Sequence, residues 1–289
     1  MDDLYDLIDE GRADGLLRLK AVSVPGIGPG TLGGFVAGRR NLDAAQGAWV
    51  SGTAQVSGDA LVTGTAWVSD TAQVSGDALV SGNARVSGTA WVSGNALVTG
   101  NAWVTGNARV TGTARVSGTA WVSGNALVTG TARVSSNAQV SDDARVSGDA
   151  RVSGTAQVSG TAWVSDTALV TGNARVSSNA QVSGDALVTG TARVSGNVQV
   201  YGNARVTGNA RVYGILPQAA RPDGYTFALF WTPSGLRITA GCRYFSFDEA
   251  RAHWQSRAGT QLGDETFAIL DYFAAVAPIV ERVAQEQAK

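Results

Sequence analysis

"TAWVSGNALVTG" occupies residues 89–100 and returns letter for letter at 119–130. Both copies sit in a run, Ala48 to Gly214, that holds one six-residue period. Its order is Ala, a variable residue, Val, Ser or Thr, Gly, then Asn, Asp or Thr. Departures are mild: Val198 stands for an Ala, while Ser136, Ser178, Asp70, Asp142 and Asp166 each stand for a Gly. A unit this short cannot bury an apolar face alone, so successive units must stack. Ala and Val, two apart on an extended strand, point to one side, and the residue between them points to the other. Gly followed by Asn or Asp supplies the left-handed backbone that a sharp corner needs. Six residues therefore make one short strand and one corner, and three such units make a triangular coil.

The expected fold is an all-β solenoid, a left-handed parallel β-helix of about nine triangular coils filled by Ala and Val. That hand runs against the usual right-handed crossover, because every connection is a tight corner rather than a helix. Taking every eighteenth residue tests the coil. The first face then carries Trp49, Trp67, Arg85, Trp103 and Trp121. The third carries Leu61, Leu79 and Leu97, followed by Arg115, Arg133 and Arg151. Five of the six variable-position leucines fall on that third face and no tryptophan does, so the eighteen-residue coil sorts residues by side. The two copies of the opening string lie five hexads apart, which puts Trp91 on the second face and Trp121 on the first. The repeated words thus encode strand and corner, not an active site.

Three segments follow. Residues 1–47 read as an N-terminal cap: a short amphipathic helix in "DDLYDLIDE", an extended "LLRLKAVSV", then a glycine-rich turn. Gly28, Gly30 and Gly33 form a G-x-G-x-x-G, but no helix follows it, so a turn feeding the first coil is the better reading than a dinucleotide site. Residues 48–214 are the solenoid. Residues 215–289 read as a small α+β module. It holds a hairpin bent at Pro233 and Gly235, a helix with a capping box at Ser246 and Glu249, and a longer helix over about 264–287 bent or broken at Pro278.

Several functions lose support from composition. The formal net charge is −1, which steers the chain toward neither nucleic acid nor an anionic membrane. The single cysteine, Cys242, allows no internal disulfide and no multi-cysteine metal site. The acidic N-terminus lacks the marks of a signal peptide. The longest apolar run, "FAILDYFAAVAPIV", is short for a membrane span and contains Asp271. The expected location is the cytoplasm, or a particle assembled there.

"LLRLKA", "GGFVAGRRNL" and "GAWVSG", followed by hexads, resemble hexapeptide-repeat proteins of phages and prophages that are often labelled transferases. The resemblance covers about residues 15–214 and implies the left-handed β-helix of the trimeric acyltransferase-like superfamily. The tail "AGCRYFSFDEARAHW" is also similar to a module at the end of some phage-encoded proteins. Acyltransferases of this fold need a histidine as general base, and metal-binding relatives need three. The repeat region has none and the whole chain has one, so the transferase label would rest on fold alone.

The lone catalytic candidate is His253, four residues after Glu249, with Cys242 eleven residues earlier. The competing reading is a solvated histidine and a buried small thiol. For the Trp49–Trp67–Arg85–Trp103–Trp121 ladder three readings stand: cover by the N-terminal helix or another subunit, a stacking platform for sugars, or simple tolerance of Trp on a strand. Leu61, Leu79 and Leu97 read as a cap or oligomer interface. Arg115, Arg133 and Arg151 could meet phosphate, with Asp142, Asp143 and Asp149 expected to neutralise them. Thr-Gly-Thr triplets lie at corners rather than on one flat face, which disfavours ice binding. The reading is a non-enzymatic structural or binding protein, homotrimeric, phage-associated, with an unidentified protein or glycan partner and no cofactor or metal. An acyltransferase-like enzyme and a carbohydrate-binding module are the alternatives.

Overall fold

Within the first unit a typical hexad donates three backbone hydrogen bonds to the coil that follows it. Trp67 N donates to Ala84 O at 2.9 Å, Ser69 N to Val86 O at 2.9 Å and Thr71 N to Gly88 O at 3.0 Å. The offset of seventeen residues is what an eighteen-residue coil requires, and the strands pair in parallel with Trp67 beside Arg85 and Arg85 beside Trp103. Every Ala and Val of the hexads is buried, and the residue between them faces out. The expected triangular parallel β-helix is therefore the fold. The computed structural model describes residues 4–213, 217–241 and 243–286, which divide into two units, 1–154 and 155–289.

The corners explain the glycines. At Gly106 φ is +68°, and a Cβ there would come within 2.9 Å of Gly124 O and 3.0 Å of Gly124 N on the next coil. Where Asp70 replaces a glycine, φ stays at 61°, and the carboxylate accepts a 2.8 Å hydrogen bond from Gly88 N. Aspartate tolerates the left-handed region through such short polar contacts.

In the first unit the segment read as a helix is a strand, β1 (Tyr5–Ile8), antiparallel to β2 (Leu17–Ala21). Pairing decides it: all four residues of β1 register with β2, from Tyr5 beside Ala21 to Ile8 beside Arg18, and that contact overrides local helix propensity. β3 (Leu32–Val36) pairs antiparallel with β2 and then parallel with Gln55–Val56, so it converts hairpin into coil. Gly33 and Gly34 make this possible. A Cβ on Gly33 would lie 2.7 Å from Val50 O and 2.8 Å from the Trp49 ring, and one on Gly34 2.6 Å from Ala54 O. Gly28 and Gly30 belong to the turn before this strand, and no helix follows them. Asn41 is fully buried; its Nδ2 donates to Gly58 O at 3.0 Å and Ala60 O at 2.8 Å, and its Oδ1 accepts from Gly38 N. One side chain thereby satisfies backbone groups at the open end of the coil.

The second unit continues the hexads to Arg211–Tyr213, where the Thr226–Thr232 strand adds antiparallel at Arg211 and Trp231. The expected hairpin pairs Thr232 with Gly235, whose φ is 98°. Gln218–Ala220 and Arg243–Phe245 complete the sheet. Helices α1 (Phe247–Trp254) and α2 (Gln261–Glu286) pack Trp254, Leu270 and Phe273 against Phe227, Leu229 and Ile238. Helix α2 runs through Pro278 without a break. Pro278 and Ala274, whose carbonyl loses its donor, are both exposed, so water can take the bond.

Gly106→Ala is expected to lower stability by about 1–2 kcal/mol from the left-handed backbone alone. Urea denaturation of the variant measures it, and an unchanged midpoint would contradict the corner geometry.

Candidate functional site

In-register pairing turns the variable positions of each face into a column with one residue per strand spacing, about 4.8 Å. On the first face the column runs Trp49, Trp67, Arg85, Trp103, Trp121. Trp49 leaves the expected platform, because it is only 1% exposed and lies under Gly33 of the cap. The others remain open, with Trp67 37%, Trp103 43% and Trp121 45% exposed.

Their rings are held by hydroxyls that follow the buried Val one coil earlier. Trp67 Nε1 donates to Ser51 Oγ at 3.0 Å and Trp121 Nε1 to Thr105 Oγ1 at 3.2 Å. The indole N–H groups of Trp67 and Trp121 are thus satisfied within the protein, which leaves their apolar rings for a partner. Arg85 lies 5.4 Å from the Trp103 ring centroid, a cation–π distance. Trp103 and Trp121 meet edge to face at 6.2 Å and 71°. Two clefts result. One, of 340 Å³, is lined by Trp67, Ser69, Arg85, Ser87, Trp103 and Thr105. The other, of 320 Å³, is lined by Asn101, Trp103, Thr119 and Trp121.

Sequence reading overlooked the hydroxyls and a second pairing. On the second face Trp91 Nε1 donates to Ser75 Oγ at 3.4 Å, and Arg109 lies 4.7 Å from the Trp91 centroid. The signal was present: an Arg eighteen residues from a Trp, and a Ser or Thr sixteen residues before it.

On the third face Leu61, Leu79 and Leu97 are consecutive partners and only half-exposed, each shielded by its neighbours in the column. No N-terminal helix covers them, since β1 to β3 extend the sheet of the second face instead. Arg115, Arg133 and Arg151 stack next. Of the aspartates expected to neutralise them, Asp143 accepts from Asn125 Nδ2 at 2.8 Å and Asp149 from Thr131 Oγ1. No ion pair among the described residues includes these three arginines.

In the second unit a 480 Å³ cavity is lined by residues that include Asp185, Arg205, Asp223 and Tyr225. It is larger than the tryptophan clefts, but Asp223 is already paired with Arg221 at 2.6 Å and the walls carry both signs of charge.

Of the catalytic candidates, Glu249 and His253 lie on helix α1. The Glu249 carboxylate accepts from Ser246 N at 2.7 Å, closing the capping box, and that backbone bond holds it below the usual carboxylate range. His253 lies with its Nδ1 3.5 Å from Arg243 Nη1 and its ring against Phe245 and Trp254. Desolvation, then Arg243 and Arg257, push its imidazole below the ordinary value. Cys242 lies outside the described residues. Among the described residues no group of three His, Cys, Asp or Glu is placed to hold a metal, and no helix is long and apolar enough to cross a membrane.

With this geometry in hand, the comparisons with known proteins concern the coils. Residues 54–70, 72–88, 90–106, 138–154, 144–160, 180–198 and 198–214 match the YdcK beta solenoid repeat. The hexads are β-solenoid repeats. Solved structures share a likeness with them. One is a Bacillus cereus protein described provisionally as an acetyltransferase, 10% identical, covering 64% of this chain and 92% of its own, TM-score 0.27. Another is LpxA from Acinetobacter baumannii, 12% identical, covering 77% and 93%, TM-score 0.27. A third is the Francisella novicida UDP-N-acetylglucosamine acyltransferase, 11% identical, covering 56% and 63%, TM-score 0.23. No curated protein matches the chain.

A depressed His253 pKa means the folded chain binds that proton less readily than the unfolded one. Its contribution is therefore intact above the unfolded value and falls as pH drops below it. NMR titration should place His253 below ordinary imidazole, and Arg243→Ala should raise it; titration at the ordinary value in both proteins would contradict the Arg243 contact.

Proposed function

We propose that this protein is a binding solenoid rather than an enzyme, and that Trp67, Arg85, Trp103 and Trp121 form its docking face for sugar rings. One observation carries the reading: three exposed indoles and one guanidinium are stacked in register on a rigid parallel sheet, with clefts between them. Such rings offer large apolar area at small entropic cost, which suits the flat faces of sugars. The clefts are rimmed by hydroxyl and amide groups of Ser69, Ser87, Thr105, Asn101 and Thr119, which suit a ligand rich in hydroxyls. The general base that acyl transfer requires is absent from the repeats, and Glu249 beside His253 is committed to its cap.

On the resemblance of residues 15–214, the setting we propose is assembly or partner recognition in a phage or prophage. The column Leu61, Leu79, Leu97 is the surface through which we propose that copies associate as a homotrimer.

A glycan array, followed by calorimetry on the hits, tests the docking face. Trp103→Ala and Trp121→Ala should each weaken binding roughly three- to tenfold, the worth of one stacking contact. Their melting curves should stay unchanged, because both rings lie outside the core. Absence of any glycan ligand, or affinity indifferent to both substitutions, would overturn the reading.

A further inference from the structure

The outward positions of the coils carry an asymmetry of charge. From Trp49 to Arg211 the variable residue of each hexad is Trp, Gln, Leu or Arg, and never Asp or Glu. Aspartates are confined to corners, and several are held there: Asp70 to Gly88 N, Asp166 to Gly184 N, Asp143 to Asn125, Asp149 to Thr131, Asp185 to Thr167 and Asp59 to Arg40. A chain of net charge −1 thus presents strand faces whose only formal charges are positive.

Arg85 is the arginine that this pattern places inside a cleft. It sits between Trp67 and Trp103, one strand from each, in the 340 Å³ cavity, and no ion pair among the described residues includes it. Its cation–π contact with Trp103 orients the guanidinium and leaves its donors for an acceptor. Trp67 and Trp103 are two strands apart, roughly 10 Å. That spacing admits two stacked rings with one anionic group between them.

Resting on the sugar-binding reading above, we infer that the ligand of this cleft is an acidic polysaccharide. Its rings stack on Trp67 and Trp103, and a carboxylate on the chain accepts hydrogen bonds from Arg85. The Trp91–Arg109 pair on the second face repeats the same combination of ring and cation. Single-stranded nucleic acid also stacks on tryptophan, but it carries a phosphate at every residue and is held by many cations. Here one arginine serves two rings and the chain has only two lysines, Lys20 and Lys289, so a sparsely charged polymer fits better.

The test compares three probes on the full chain: a hyaluronan oligosaccharide, in which acidic and neutral rings alternate, the same oligomer with its carboxylates methyl-esterified, and single-stranded DNA of similar length. The acid oligomer should bind most tightly. Esterification and Arg85→Gln should each weaken binding roughly three- to tenfold, as for one exposed charged hydrogen bond, and together no more than either alone. Raising the salt should weaken the acid oligomer and leave the ester unchanged. Equal affinity for acid and ester, with Trp103→Ala still harmful to both, would overturn the acidic ligand while leaving the sugar-binding face standing. Loss of all oligosaccharide binding would remove both. DNA binding tighter than the acid oligomer, and dependent on Arg85, would replace this ligand class with nucleic acid.

Discussion

The whole solenoid depends on one backbone bond, repeated: an N–H donated to the carbonyl seventeen residues ahead. It can form in every coil only if each corner turns within the same few atoms. That requirement is met by a left-handed residue at every corner, usually glycine, with the glycines of successive coils almost in contact. Once the corners are set, Ala and Val have one place to go, and the interior is too narrow for anything larger. A change in the period by one residue would turn the apolar side chains outward. Stability and register therefore come from the same six letters.

Because that constraint is local and periodic, most of the fold could be read from the residues. The eighteen-residue coil, the buried Ala and Val, the hairpin at Pro233 and Gly235 and the capping box at Ser246 all follow from spacing and side-chain chemistry. Errors arose where contact between distant segments overrode local pattern. Tyr5–Ile8 has the composition of a short helix, yet pairing with Leu17–Ala21 makes it a strand. Trp49 has the same hexad environment as Trp67, and only the crossing of Gly33 above it takes it from surface to core.

The candidate site was legible in part, for the same reason. Columns of Trp, Leu and Arg follow from arithmetic on the repeat. The orientation of the rings does not, because it depends on which Ser or Thr of the neighbouring coil is reached by an indole N–H. Those bonds convert a row of large side chains into a surface with defined clefts. The same solenoid sets its aspartates at corners and its arginines on strands, so charge separates by position within the hexad rather than along the chain. Function on such a scaffold can be carried by substituting single outward residues without disturbing the interior.

The most direct test of the docking face is an indole N–H correlation spectrum of 15N-labelled protein, recorded as a hyaluronan oligosaccharide is added. The account requires the Trp67, Trp103 and Trp121 signals to move together while Trp49, buried beneath the cap, and Trp254, buried in the C-terminal module, stay in place. Movement confined to Trp231 or Trp254, or no movement at any tryptophan, would contradict it.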